Sequence, residues 1–241
     1  MSVKLIAHTA LADDFWWEVE LEGGVPTDGQ AVALTAIRTC YSANKPSEIV
    51  AFEGDKYFGQ TASDGEDGTE ADRLFRHITR SGHTSTLEHL TFTFAIEGVS
   101  RALLAQLTRH RVGFSYSVQS QRYVRMGSSD KTGGFDYVVP RSINEKGEGA
   151  LAVFRASMRA IQADYDALRE AGVPPEDARM VLPNAAATNL VMTVNLRALL
   201  DFYGKRREGR GSQWEIAELA EQLRREVTKA EPWTAPYFDV A

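Results

Sequence analysis

The chain has 241 residues, enough to bury one large core or two small ones. Hydrophobic residues make up 43% and charged residues 25%, and a net charge of −6 argues against a general nucleic-acid binder, because any basic surface must be local. A single cysteine, Cys40, excludes an intrachain disulfide and a cysteine-rich metal site. With no signal-peptide core and no long apolar run, the expected compartment is the cytoplasm, without a membrane partner.

Taken in order, residues 3–9 suit a short strand, and residues 15–21 alternate partially before breaking at Gly23-Gly24. Thr27 or Asp28 caps a helix through Ala31, Val32, Leu34, Thr35 and Ile37, which ends in Arg38-Thr39-Cys40-Tyr41-Ser42. Glycines and acids make 54–69 a loop. A helix covers 70–80 with Ala71, Leu74, Phe75 and Ile78 inward, stopped by Ser81-Gly82. Residues 90–97 alternate apolar and polar, the pattern of a half-buried antiparallel strand. Residues 100–108 read as a helix, so the Arg-rich stretch that follows reads as a helix C-terminus and a loop.

Residues 135–140 read as a strand closed by Pro140. A long helix fits 148–171, where Leu151, Phe154, Met158, Ile161, Tyr165 and Leu168 recur at helical steps. Pro175 opens a short helix to Leu182. Then come a strand over 186–195, a helix over 197–203, a second basic loop over 204–211, and a last helix over 213–229 capped by Ser212. The chain shows no repeat and no domain boundary. It predicts one α/β domain, residues 1–241, with a mostly antiparallel mixed sheet flanked by helices. Without Gly-x-Gly-x-x-Gly or a Walker loop, it is not a Rossmann fold.

The densest chemistry lies between Arg109 and Tyr123. Residues 98–129 contain no Asp or Glu, although 32 residues of this chain average about four. The same stretch holds Arg109, His110, Arg111, Ser115, Ser117, Gln119, Ser120, Gln121 and Arg122. Guanidinium forks and neutral hydroxyl donors are what a phosphorylated anion needs, whereas the plainer reading is a solvated basic loop. Other candidates have plain alternatives too. His83, Glu88 and His89, with His77, lack metal-ligand spacing, so no metal is expected. Ser120 lacks a Gly-x-Ser-x-Gly elbow and suits a phosphate donor better than a nucleophile. Cys40 suits a small apolar residue, and Arg179 can simply pair with Glu176 or Asp177.

Arg109-His110-Arg111, then Ser120 with Arg122-Tyr123, resembles the signature of the flavin-dependent (alternative) thymidylate synthases. The likeness extends to Arg38-Thr39-Cys40-Tyr41, to His83, Ser85 and Glu88-His89 before the Phe-Thr-Phe strand, and to Gln106. It continues through the segment from Glu176 to Pro183, Asn195-x-Arg197 and Gln213-Trp214-Glu215-Ile216. It implies a transferase that converts dUMP to dTMP, with methylenetetrahydrofolate giving the carbon and NADPH the hydride through FAD, in a cytoplasmic homotetramer with FAD between subunits. By matching position, His83, Ser85, Glu88, Arg109, His110, Arg111, Asn195, Arg197 and Asp201 would hold FAD. Gln106, Arg109, Ser120, Gln121, Arg122, Arg179 and Arg206 would hold dUMP, with Arg206 in the catalytic position.

This sequence departs from the pattern in three places. Eight residues separate Arg111 from Ser120 instead of seven, Val118 stands where Glu or Gln is frequent, and Asp201 stands where Asn is frequent. Arg207 competes with Arg206 for the substrate position, and the Arg206-x-x-x-Arg210 spacing favours Arg206. A reading from another class is a non-catalytic nucleotide- or RNA-binding module built on the same arginines.

Overall fold

The computed structural model describes residues 1–16, 21 and 24–240. Four strands, β1 (Ser2–His8), β2 (Thr91–Ser100), β3 (Phe114–Val118) and β4 (Ala187–Asn195), form one open antiparallel sheet in the order β1-β2-β4-β3. Period-2 alternation puts Phe92, Phe94 and Ile96 of β2 beside Leu190, Met192 and Val194 of β4 on one buried face. On the opposite face the Thr93 and Thr193 hydroxyls hydrogen-bond at 2.9 Å.

Helices α1 (Asp13–Trp16), α2 (Asp28–Thr39), α3 (Ile49–Phe58) and α4 (Glu70–Arg80) precede β2, with a 3-10 turn, Thr84–His89, between α4 and β2. Helix α5 (Arg101–Leu107) links β2 to β3. After β3 come α6 (Arg141–Glu145), α7 (Glu148–Glu170) and α8 (Pro175–Ala178), and after β4 come α9 (Leu196–Arg206), α10 (Trp214–Ala230) and α11 (Ala235–Val240). The apolar faces of α2, α4, α9 and α10 cover the buried side of the sheet. A second cluster, Met126, Phe135, Met158, Tyr165, Ala178 and Ala186, packs around α7. Among the described residues no helix is long and apolar enough to cross a membrane.

Several expectations need correction. Of the two expected caps of α2, the structure selects Thr27, its hydroxyl accepting the Gln30 N–H at 3.1 Å. The first part of 54–69 is helical, because α3 runs to Phe58. Gly54 sits in that helix where an added Cβ would meet the Leu21 side chain at 2.5 Å, so close packing selects it rather than a turn. The stretch 15–21 opens inside α1 and otherwise lies largely outside the described residues. Residues 135–140 make only one bridge, Tyr137 with Ala186, before Pro140 ends the pairing. Residues 114–118, read as loop, form β3 against β4. Helix α9 carries Lys205 and Arg206, which shortens the second basic loop. Gln213 rather than Ser212 caps α10.

Candidate active site

Strand β3 organises the candidate residues, because the two arginine-rich groups sit at its two ends. Five residues of strand separate them by roughly 17 Å. At the first end α5 stops at Leu107 and the chain turns through Arg109-His110-Arg111. Arg109 and Arg111 are exposed, and among the described residues their side chains have no hydrogen-bond or ion-pair partner. His110 between them is half-buried, edge-on to Phe202 at 4.9 Å. Arg206 Nε donates to His110 Nε2 at 3.0 Å, so this nitrogen is the acceptor and the imidazole is neutral. Burial, helped by the Arg206 charge, holds the His110 pKa below its ordinary 6.5. Tyr116 Oη donates to the His110 carbonyl at 2.7 Å and fixes the turn from below. Burial pushes the Tyr116 phenol far above its usual range, so it remains a donor.

The turn itself is closed by Phe114 N–H to the Arg111 carbonyl at 3.2 Å. Gly113 adopts φ +76°, and a Cβ there would meet Asn195 Nδ2 at 2.7 Å. Asn195 has a structural duty as well, since its Oδ1 caps α9 by accepting the Ala198 N–H at 2.8 Å. About three turns along the same helix, Arg206 faces His110. Arg207 lines a different cleft, with Tyr203, Trp214 and Arg141, and its buried Nε has no partner.

Two clefts have other candidate residues in their walls. One, of about 710 Å³, is lined by Arg76, Arg80, Thr84, Arg197, Asp201 and Lys205 among others. The second, of about 870 Å³, is lined by His83, Ser85, Glu88, His89, Cys40 and apolar side chains of α2. Glu88 and Arg197 form an ion pair, so each cleft takes one partner of the pair. Asp201 is paired to Lys205 at 2.7 Å, and His83 Nδ1 meets Tyr41 Oη at 2.9 Å. The segment that carries Tyr41 is held by Glu53 of α3. Burial alone would raise the Glu53 pKa, but bonds from Ser42, Arg38 and Asn44 hold it below the usual carboxylate value.

At the far end of β3 the chain makes a turn, with Val124 N–H donating to the Ser120 carbonyl at 2.9 Å. Ser120 Oγ accepts the Arg122 N–H at 3.2 Å, and no histidine contacts it among the described residues. Gln121 is buried. Arg122 is exposed, stacked over Tyr123 and paired to Glu176 at 2.9 Å. Arg179 Nε donates to the Glu176 carbonyl at 3.0 Å. Gln106, in the last turn of α5, reaches back to the Ala102 carbonyl at 3.4 Å. Val118 packs against the main core, which accounts for an apolar residue there.

Residue-by-residue matching missed Arg101. Its Nη2 donates to the Gln119 carbonyl at 3.1 Å, while its Nε is buried without a partner. Burial, then the Arg179 charge, lowers its pKa. The only sequence signal for Arg101 was its place inside the acid-free window.

These features belong to a recognised class. The chain is a member of the family described as thymidylate synthase complementing protein, which matches residues 25–233. The flavin-dependent thymidylate synthase of Geobacter sulfurreducens is 40% identical over 205 residues, covering 85% of this chain and 80% of its own. The enzyme of the same name from Halobacterium salinarum is 39% identical over 202 residues, 74% of this chain and 81% of its own. That from Nitratidesulfovibrio vulgaris is 46% identical over 153 residues, 61% and 59% respectively. The fold is similar to that of a UMP/dUMP methylase, PolB, from Streptomyces cacaoi, solved with 5-Br dUMP, at a TM-score of 0.70 and 22% identity over 99% of this chain and 94% of that one.

Proposed function

We propose that this protein makes dTMP from dUMP by reductive methylation, with methylenetetrahydrofolate as carbon donor and NADPH as reductant through FAD. The 241 residues act as one domain in a homotetramer. The observation that carries the reading is the pair of unpartnered guanidiniums, Arg109 and Arg111, around a neutral His110 locked to Arg206. Two free forks match the two charges of a pyrophosphate, and the two clefts offer Arg197, Asp201, His83, Ser85 and Glu88 for the rest of a dinucleotide. The donor set therefore fits FAD, with Asn195 contributing through the nitrogen its cap leaves over. When bound, the flavin supplies the hydride relay between NADPH and the new methyl group.

The chain's own residues bind and orient. Ser120, Gln121, Arg122 and Arg179 take the nucleotide phosphate, and Gln106 adds an amide. Arg206 keeps Nε on His110 and offers its terminal nitrogens to the pyrimidine, the position assigned as catalytic. Because β3 holds the two groups apart within one chain, the working site pairs one end of β3 with the other end from a second subunit. That arrangement also covers exposed apolar side chains at the two ends, Val112 and Met180. The test is dTMP formation, or tritium release from labelled dUMP, with all four reactants. A purified, FAD-loaded protein that gives neither ends the proposal.

A further inference from the structure

The Gln213-Trp214-Glu215-Ile216 motif contributes nothing directly to the candidate site, yet Glu215 is 2% exposed. Its Oε1 accepts the Ser100 N–H at 2.7 Å and its Oε2 accepts the Ser100 hydroxyl at 2.5 Å. No lysine, arginine or histidine pairs with it among the described residues. A buried carboxylate without a cation is costly unless donors converge on it, and here the donors come from the start of α5. Ser100 is itself the N-cap of that helix, its Oγ accepting the Leu103 N–H at 3.0 Å. Glu215 lies in the first turn of α10, where Gln213 Oε1 accepts its own N–H at 3.0 Å. Two helix starts are therefore tied to one carboxylate.

What α5 carries makes this tie relevant to the site. Arg101, the residue after Ser100, holds the Gln119 carbonyl, one residue before Ser120. The other end of α5 presents Gln106 and leads into Arg109. One short helix thus sets donors at both ends of β3, and Ser100 is the point that fixes its start. Resting on the reading above, we infer that Glu215 is a positioning residue for nucleotide binding, acting through Ser100 and α5 on Gln106 and Ser120.

The experiment measures dUMP binding by calorimetry, with steady-state kinetics beside it, well below the melting temperature. Glu215→Ala should weaken dUMP binding about tenfold and raise its KM in parallel, with kcat changed less than about threefold, as expected when oriented hydrogen bonds are misplaced rather than removed. Glu215→Gln keeps the shape and one acceptor, and should return binding to within about threefold of the parent protein. A Glu215→Ala protein that melts earlier but binds dUMP with the parent Kd would show a purely structural anchor and overturn the inference. If that variant does not fold, Ser100→Ala removes the hydroxyl link to Glu215 together with the cap of α5, and unchanged dUMP binding there overturns it equally. A parent protein that binds no dUMP at all sinks the functional reading first, and the inference with it.

Discussion

The two ends of β3 present arginines in opposite electrostatic states. At the first end Arg109 and Arg111 have no partner among the described residues, and the groups around His110 are packed and committed: His110 neutral, Arg206 bonded to it, Tyr116 holding its carbonyl. At the second end Arg122 is already paired, to Glu176, and Arg179 leans on the same residue's carbonyl. On the proposed reading, the first end is preorganised for an anion that stays, and the second is closed by an acid that an incoming anion must displace, which suits a ligand that comes and goes. The proposal therefore puts the phosphates of the resident cofactor at one end and the phosphate of the exchanging substrate at the other.

The largest expected effect lies at the preorganised end. Arg109→Ala with Arg111→Ala should give a folded, colourless protein, checked by circular dichroism and by absorbance in the flavin bands. Stoichiometric FAD in that variant breaks the contrast. At the exchanging end, Ser120→Ala should raise the dUMP KM while leaving measurable kcat. A lost charge-assisted hydrogen bond of roughly 1.5–3 kcal/mol corresponds to about ten- to a hundred-and-fifty-fold. Arg122→Ala should cost more, since a fork goes at once. A Ser120→Ala protein that binds dUMP normally but loses kcat by orders of magnitude would make Ser120 a nucleophile instead.

Smaller effects sharpen the comparison. His110 has a lowered folded pKa, so protonation is harder in the folded than in the unfolded state. Its contribution to stability is intact above the ordinary 6.5 and is lost as pH falls towards the depressed folded value. The melting temperature should drop in that window, and His110→Gln should flatten the drop. Glu176→Gln should tighten dUMP by no more than about fivefold, since an exposed pair is worth ~0.2–1 kcal/mol, and weaker binding would contradict the competitor role. Cys40→Ala should leave turnover within about twofold, as judged by initial rates, because among the described residues the thiol hydrogen-bonds only to the Ala36 carbonyl, at 3.9 Å.

Much of this architecture was legible in the sequence. Helices α2, α4, α7 and α10 and strands β2 and β4 follow from apolar periodicity, which survives because each lays one face on a core. Helix α3 was hidden by Gly54 and Asp55, residues that usually mark loops, although Gly54 here answers to the approach of Leu21. Strand β3 was hidden because its pattern, Phe-Ser-Tyr-Ser-Val, is short and flanked by arginines, and it is a strand only because β4 offers it an edge. For the site, residue identities were readable from the arginine motif. Their division between two ends of β3 was not, nor were the partners Tyr116, Glu176 and Arg101, since each depends on contacts far apart in the chain.

With the order β1-β2-β4-β3, β3 is an edge strand, and one row of its backbone N–H and C=O groups faces outward. Such a row invites another chain to add to the sheet, the first step towards aggregation. Here the strand is five residues long, with Arg109 and Arg111 before it and Arg122 and Arg125 after it. Two such edges meeting antiparallel would bring each arginine pair against the other, like charge on like. The cations that suit the strand's ends to phosphate therefore also act as gatekeepers of its open edge, and a bound anion relaxes that guard.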